Sequence, residues 1–284
     1  MRPAFSFAGK NAILATMHGK ERVIALLLDS ALGVRLRVPA GFDTDRFGTF
    51  SREVERAGTQ LDAARVKIAA AFERDPHASI GVASEGSFGS HPLIPVLPFY
   101  REIVVLIDRE TGFELVGHHS GSFTNFGHAI VSGAAEGMVF AERIGFPKHG
   151  VIVTGHAARQ PAPDRFLSKD IETASQVRRA VGQAVERCGE AFVESDMRAH
   201  RNPTRMRAIR RATVELVRRY RSACPACGRP GFVVSEWLSG LPCAWCGGST
   251  RATKAEVMIC AGCGHRLQRP KQKPLFLGRV RVCR

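Results

Sequence analysis

The sequence predicts an α/β amino-terminal domain with a mixed sheet, a helical connector, and a small cysteine-rich module at the carboxyl end. Three observations support this division. Short apolar runs alternate with amphipathic segments of helical period through the first 155 residues. All eight cysteines lie at or beyond Cys188, and the excess positive charge lies in the same part of the chain. We place the domains at residues 1–155, 165–222 and 223–284.

The composition separates the chain into two electrostatic parts. Residues 1–155 carry 16 Lys+Arg and 16 Asp+Glu, whereas residues 156–284 carry 25 and 10, which accounts for the net charge of +15. A concentration of positive charge is typical of a segment that binds nucleic-acid phosphates. No apolar run reaches the length of a membrane span, and no signal-peptide core stands at the start, so we expect a cytoplasmic protein that makes no membrane contact.

The first strand, turn and helix form the best candidate for a phosphate-binding unit. Residues 12–15 form an apolar strand, and residues 21–32 carry apolar side chains at the spacing of a helix packed on a sheet. The turn between them places helix N–H groups, a glycine and a lysine at one point, which favours a bound anion. The predicted phosphate-binding residues are Thr16, His18, Gly19 and Lys20.

The next elements supply a second lysine and a carboxylate. A strand at 34–38 precedes a helix at 51–72, which carries Lys67 beside small alanines. A short apolar strand at 79–83 then ends at a glycine-rich turn that bears Glu85. This is where an α/β enzyme would place a metal ligand or a general base, although a surface glutamate in a loop is the alternative.

Two further strands make the predicted sheet mixed. Residues 101–108 are strongly β-branched, and a hairpin turn at 108–112 leads into another strand. A hairpin joins antiparallel neighbours, whereas the preceding strand and helix units favour parallel ones.

These elements, in this order, resemble the inosine/xanthosine triphosphate pyrophosphatase superfamily over roughly residues 10–150. That superfamily has a Ser/Thr-x-Asn-x-x-Lys turn, a helix of the Thr-x-x-x-Asn-Ala-x-x-Lys-Ala kind, and an acidic turn that holds Mg²⁺. Here His18 replaces the usual asparagine, and Ser84-Glu85 replaces two aspartates. The resemblance implies that Lys20 contacts the triphosphate, that Lys67 supports it, and that Glu85 binds magnesium or activates water. The whole chain also resembles an uncharacterised bacterial family.

The middle of the chain is predicted to be a linker followed by basic helices. Residues 154–164 contain glycine, prolines and small residues, which indicates a linker. A helix is expected at 170–188, and another at 203–221, capped by Asn202 and dense in arginine. The second helix either lies on nucleic-acid phosphates or presents a solvated positive face.

The polar segment 194–201 precedes this arginine-rich helix. Because arginine can make bidentate contacts to phosphate, the segment is a candidate small-molecule or phosphate site. Helix capping or interdomain salt bridges would explain it equally well. The candidate substrate-binding residues are Asp196, Arg198, His200 and Arg201.

The cysteines carry the most specific signal in the sequence. Three Cys-x-x-Cys-Gly knuckles begin at Cys224, Cys243 and Cys260, and Cys283 follows. In a reducing compartment such knuckles indicate thiolate-bound Zn²⁺, and a ribbon this small would fold on its metal. We expect the first two knuckles to share one zinc ion, although the first could pair with the third instead. The predicted metal ligands are Cys224, Cys227, Cys243, Cys246, Cys260, Cys263 and Cys283.

Two functions fit these observations. The first is a Mg²⁺-dependent hydrolase of a nucleotide or other phosphorylated substrate, with a zinc ribbon appended. The alternative is a non-catalytic, zinc-containing protein that binds nucleic acid through residues 156–284. The hydrolase hypothesis requires Lys20, Lys67 and Glu85 to converge in the fold.

Overall fold

The chain divides into two units in a computed structural model that describes residues 5–44, 58–243 and 246–271. The larger unit is Phe7–Val217, and the smaller comprises Met1–Ser6 and Arg218–Arg284. This division does not follow the predicted boundary near residue 155, because one sheet draws its strands from both sides of that position.

The described residues contain twelve strands and five α-helices. The strands are β1 (Asn11–Leu14), β2 (Arg35–Arg37), β3 (Ile80–Ser90), β4 (Pro98–Asp108), β5 (Phe113–Gly121), β6 (His128–Val131), β7 (Val151–Ala157), β8 (Gln160–Ser168), β9 (Glu190–Ser195), β10 (Val234–Ser239), β11 (Thr253–Ile259) and β12 (Arg266–Pro270). The helices are α1 (Glu21–Leu32), α2 (Gln60–Arg74), α3 (Ala134–Ile144), α4 (Ala174–Cys188) and α5 (Pro203–Arg221). None of these five helices combines the length and the apolar character needed to cross a bilayer.

The first sheet confirms the mixed α/β prediction. Its strand order is β2-β1-β3-β4-β5. Strand β1 runs parallel to β2 and β3, whereas β3, β4 and β5 are joined antiparallel. Because β2 and β3 lie on opposite sides of β1, right-handed crossovers place α1 and α2 on opposite faces of the sheet.

Side-chain parity shows which helix covers each face. On one face, Ala64 and Ile68 of α2 pack with Ala83 and Ile103 in an apolar cluster. On the other face, a Cβ at Gly117 would overlap backbone atoms of Ala212 and Leu216. Helix α5 therefore lies directly against the second face, and the sheet is sandwiched between α2 and α5.

The second sheet overturns the predicted linker at 154–164. Its order is β6-β9-β7-β8, and all of its pairings are antiparallel. Residues 154–164 lie almost entirely within the β7–β8 hairpin, so the small residues and prolines belong to strands. Val153 and Val193 of the sheet pack with Phe140 and Val181 of the helices α3 and α4.

Several predicted boundaries are confirmed and others are wrong; the helix predicted from residue 170 begins at Ala174, because Thr173 forms its capping box. Helices α1 and α5 span the predicted residues, and Asn202 Oδ1 accepts a hydrogen bond from the Arg205 N–H at 3.0 Å as the expected cap. Helix α2 begins at Gln60, because Gly58 has φ of +72° and Thr59 forms a capping box. Residues 51–57 of the predicted helix lie outside the described residues. Strand β3 continues to Ser90.

The smaller unit contains a three-stranded antiparallel sheet, β10-β11-β12. Phe232 and Met258 are buried there together with two cysteines, Cys224 and Cys260. So small an apolar cluster indicates that the unit needs another source of stability.

Candidate functional site

The Thr16–Lys20 turn lies at the carboxyl end of β1, between helices α1 and α2, which lie on opposite faces of the sheet. Ligands of open α/β sheets bind at such a point, where the strand order reverses. Gly19 has φ of +70°, and the His18 N–H donates to Thr16 Oγ1 at 3.4 Å. At the start of α1, the N–H groups of Arg22 and Val23 donate to the carbonyls of Gly19 and Lys20 in the turn, at 3.3 and 3.1 Å.

Lys20 is buried rather than exposed on the turn. Only 7% of the residue is accessible. Its Nζ donates to the Ser84 carbonyl oxygen at 2.9 Å, which ties the start of α1 to β3. The ammonium group thus lies beneath the turn.

Lys67 and Glu85 form a buried ion pair close to Lys20. Lys67 Nζ lies 2.6 Å from Glu85 Oε1, and both side chains are at most 10% exposed. The carboxylate stands in the middle of β3 because this strand continues past the predicted turn. The side chain of Gln60 donates to the Glu85 carbonyl at 3.1 Å and holds the end of α2 on the strand.

Sequence reasoning missed a second buried ion pair on the other face of the sheet. Arg205 Nε donates to Glu102 Oε1 at 2.7 Å, and both side chains are at most 1% exposed. Arg205 also donates to the Met197 carbonyl. The sequence pattern indicates that both residues are buried. Arg205 lies one turn before Ile209 on the buried stripe of α5, and Glu102 points to the same face of its strand as Val104.

The five charged groups interact as one cluster. Burial and the charge of Arg205, partly opposed by Glu85, lower the pKa of Lys20 to about 7; Lys67 also lowers it, and Glu102 also raises it. Each carboxylate has its own cation, so protonated Lys20 is a third positive charge beside two negative ones. The cluster therefore carries a net positive charge whenever Lys20 is protonated.

The structure brings His200 of the polar segment to the Thr16–Lys20 turn. The rings of His18 and His200 are stacked with centroids 5.0 Å apart and planes inclined by 16°. Burial, followed by the charges of His18 and Arg198, lowers the pKa of His200.

The other three candidate residues of the segment are held in structural contacts. Arg198 Nη2 lies 2.7 Å from Asp196 Oδ2 and 2.8 Å from Asp170 Oδ1. Arg201 donates to the Ile171 carbonyl. These bonds join the segment after β9 to residues 170–172, which agrees with a structural role for Asp196, Arg198 and Arg201.

A groove lies beside the histidine stack, between the starts of α1 and α5. Its volume is about 300 Å³, at the lower end of the range for small-molecule sites. The floor is apolar, with Val23, Ala199, Pro203 and Met206. The rim consists of the exposed side chains of three arginines and one histidine, namely Arg22, Arg207, Arg210 and His200.

The surroundings of Glu85 do not fit a magnesium site. Its carboxylate is held by the Lys67 ammonium group at 2.6 Å. In the described parts of the chain, Glu85 does not belong to any group of three carboxylate, histidine or cysteine ligands that could hold one ion. We therefore assign no step to magnesium at this position.

Four cysteines of the smaller unit form a group that could hold a metal ion. The Sγ atoms of Cys224, Cys227, Cys260 and Cys263 all lie within 4.8 Å of one another. Cys224 and Cys263 are 3.8 Å apart, and Cys227 and Cys260 are 3.6 Å apart. Four sulfurs around a tetrahedral Zn²⁺, at Zn–S distances of about 2.3 Å, would be about 3.8 Å apart.

The first knuckle thus pairs with the third, and the expected pairing of the first with the second is wrong. Strand β11 ends at the third knuckle and packs beside Phe232, so the sheet brings residues 224 and 260 together. Cys243 and Cys246 do not belong to the four-sulfur cluster. Cys283 lies outside the described residues.

The electrostatics of the four thiols also suit a cation. Hydrogen bonds from the backbone N–H groups of Cys263 and Gly262, helped by the neighbouring thiols, lower the pKa of Cys260 to about 6 although burial opposes them. For Cys227, the N–H of Arg229 acts in the lowering direction, but burial and the other three thiols raise its pKa to about 12. Four sulfurs this close cannot all ionise without a compensating positive charge.

The fold and these sites define a mixed α/β protein with a cluster of four cysteines that could hold a metal ion and with a buried cluster of charged side chains. The chain belongs to the family of the domain of unknown function DUF6671, whose model matches residues 67–274. No curated protein matches the chain significantly.

Proposed function

We propose that the larger unit binds a phosphorylated small molecule of the nucleotide class in the groove between α1 and α5. The observation that carries this proposal is the composition of the groove: three arginines and one histidine surround an apolar floor, and none of the described lining residues is acidic. An apolar floor accepts a base or another flat group, while guanidinium groups bind phosphate oxygens in bidentate fashion.

The position of the groove adds to this argument. The start of α1 contributes the positive end of a helix dipole on one side. The cluster around Lys20 supplies further positive charge beneath the turn, and a bound anion would favour the protonated ammonium group.

The resemblance to the inosine/xanthosine triphosphate pyrophosphatase superfamily suggests a nucleoside triphosphate as the ligand and hydrolysis as its reaction. The convergence of Lys20, Lys67 and Glu85 supports this hypothesis, since the hydrolase requires these groups to meet. Their catalytic roles remain predictions, and the proposal includes no magnesium ion on Glu85.

The test measures binding of inosine, xanthosine, guanosine and adenosine triphosphates by titration calorimetry. We expect Arg207→Gln and Arg210→Gln each to weaken binding by about tenfold, the value of one charge-assisted hydrogen bond. The matched control is Arg178→Gln, an exposed arginine on α4 that lies outside the groove. Equal affinities for the groove variants and the control would contradict the proposal.

The same protein and nucleotides test hydrolysis, with product release followed in the presence and absence of Mg²⁺. Turnover that is lost in Glu85→Gln, while binding is retained, would establish the hydrolase. Binding without turnover would leave a nucleotide-binding protein.

Binding of nucleic acid is the second candidate, favoured by the exposed arginines Arg207 and Arg210 on α5. It predicts that an oligonucleotide binds through phosphate contacts and that its affinity falls steeply with salt. Oligonucleotide binding that persists in a variant carrying His200→Ala and Arg22→Gln, which lacks two rim side chains of the groove, would favour this candidate over the nucleotide site.

For the smaller unit, we propose Zn²⁺ as the ion bound by Cys224, Cys227, Cys260 and Cys263. The four-sulfur donor set and the sulfur spacing suit this ion. With no open position among four thiolates, the role of the ion is structural rather than catalytic.

A further inference from the structure

The third cysteine pair, Cys243 and Cys246, lies in a backbone turn of the same kind as the two knuckles of the four-cysteine cluster. In each of the three, the N–H of the first cysteine donates to the carbonyl five residues later. The distances are 2.9 Å from Cys224 to Arg229, 2.8 Å from Cys243 to Gly248 and 2.9 Å from Cys260 to His265.

A second hydrogen bond closes each turn in the same way. The glycine that follows the second cysteine donates to the carbonyl of the first, at 2.8 Å for Gly228, 2.9 Å for Gly247 and 3.0 Å for Gly264. These glycines have φ of +73°, +70° and +73°. Only glycine adopts this conformation without strain, so the sequence Cys-x-x-Cys-Gly encodes the turn at all three positions.

In the two knuckles that form the four-cysteine cluster, this turn orients the groups that would bind a metal ion. It points both sulfurs to the same side and directs backbone N–H groups towards them, as with the Gly262 N–H that donates to Cys260 Sγ at 3.4 Å. Such N–H groups stabilise thiolates. At the remaining knuckle, Gly248 lies beside the sulfur of Cys246, because a Cβ built on Gly248 would be 3.3 Å from Cys246 Sγ.

We infer that Cys243 and Cys246 are ligands of a second thiolate-bound metal ion. The ion is of the Zn²⁺ class, because paired thiolates select soft or borderline divalent cations. Two cysteines supply half of a tetrahedral site, and the other ligands complete it either from the same chain or from a second copy. This inference is independent of the nucleotide groove.

The experiment measures zinc in the full-length protein by elemental mass spectrometry, after purification without chelators. A second site completed within one chain gives about two zinc ions per chain, and a site shared by two copies gives about 1.5. Both values support the inference. A value of about one, accounted for by Cys224, Cys227, Cys260 and Cys263, would overturn it.

Two variants assign the metal to its cysteines. The paired variant Cys243→Ser/Cys246→Ser should lose the second ion and keep about one. The matched control is Cys188→Ser, because this thiol packs against Gly155 in the larger unit and should keep all of the metal. Full metal content in the paired variant would overturn the inference.

Cobalt substitution gives a readout that does not depend on the fold of a variant. In wild-type protein reconstituted with Co²⁺, the sulfur-to-cobalt charge-transfer absorbance should continue to rise beyond one equivalent of metal. An absorbance that saturates at about one equivalent would contradict the second thiolate site.

Discussion

The behaviour of Lys20 follows from its burial among charged groups. Its pKa falls from 10.5 to about 7, first through burial and then through Arg205. The unfolded chain keeps this proton up to about pH 10.5, whereas the folded chain releases it near pH 7. The free energy of unfolding therefore rises with pH between these values, by at most about 1.4 kcal/mol per pH unit. Below pH 7 the folded protein bears the full cost of burying the charged Lys20 ammonium group.

Replacing Lys20 by methionine should remove this part of the pH dependence. We expect urea unfolding, followed by circular dichroism at roughly pH 7, 8 and 9, to show a smaller gain in stability for Lys20→Met than for wild type. Lys148→Met, a change at an exposed lysine, is the control and should keep the wild-type slope. Parallel curves for wild type and Lys20→Met would show that Lys20 has an ordinary pKa.

The Lys67–Glu85 pair predicts a large effect of one substitution and a smaller effect of two. Glu85→Gln leaves the Lys67 ammonium group buried without its carboxylate, which typically costs about 3–5 kcal/mol. Glu85→Leu combined with Lys67→Met should recover most of that loss, because no charge then stays buried. The measurement is the free energy of unfolding in urea of the wild type, the single variant and the double variant. A Glu85→Gln variant as stable as wild type would mean that the ion pair is solvated.

At the scale of elements, the contact of α5 with β5 depends on Gly117. A Cβ at this position would overlap the Ala212 carbonyl and Leu216, so Gly117→Ala must push the helix away from the sheet. We expect a loss of about 1–3 kcal/mol or more, measured as a lower midpoint of thermal or urea unfolding. Gly89→Ala is the control in the same sheet, since a Cβ there meets nothing within 4 Å. A Gly117→Ala variant as stable as this control would contradict the packing.

Elements with local signals could be predicted from the sequence, and elements decided by distant partners could not. Helices α1 and α5 have complete apolar stripes, and Asn202 and Pro203 mark the start of α5. The β7–β8 hairpin was missed because prolines and small residues also suit a linker, and only pairing with β9 shows it to be part of a sheet.

The same distinction applies to the candidate site. Lys20, Lys67 and Glu85 were found from their positions after strands and on helices, and the structure does bring them together. Arg205 and Glu102 are 103 positions apart in the sequence, so no local sequence pattern predicts that they form an ion pair. An arginine in an arginine-rich helix is expected to face solvent, and only its place on the buried stripe distinguishes Arg205 from its neighbours.

At the scale of the whole molecule, the two units have different sources of stability. The larger unit buries apolar side chains on both sides of its first sheet and in a second core, among them Leu14, Ile68 and Val153. The described part of the smaller unit has a small apolar cluster, and two of its members, Cys224 and Cys260, belong to the proposed zinc site. Removal of the metal should therefore affect the two units unequally.

Chelation offers a test because both tryptophans, Trp237 and Trp245, belong to the carboxyl-terminal part of the chain. We expect a strong chelator to change the tryptophan emission and abolish protection of residues 224–271 from proteolysis. The thermal transition of the larger unit, followed by helical circular dichroism, should persist because its cores contain no metal ligand. Added Zn²⁺ should restore the emission, and Cys224→Ser should reproduce the chelated state. Loss of both transitions together on chelation would mean that the units do not fold independently, and unchanged emission would contradict a metal-dependent ribbon.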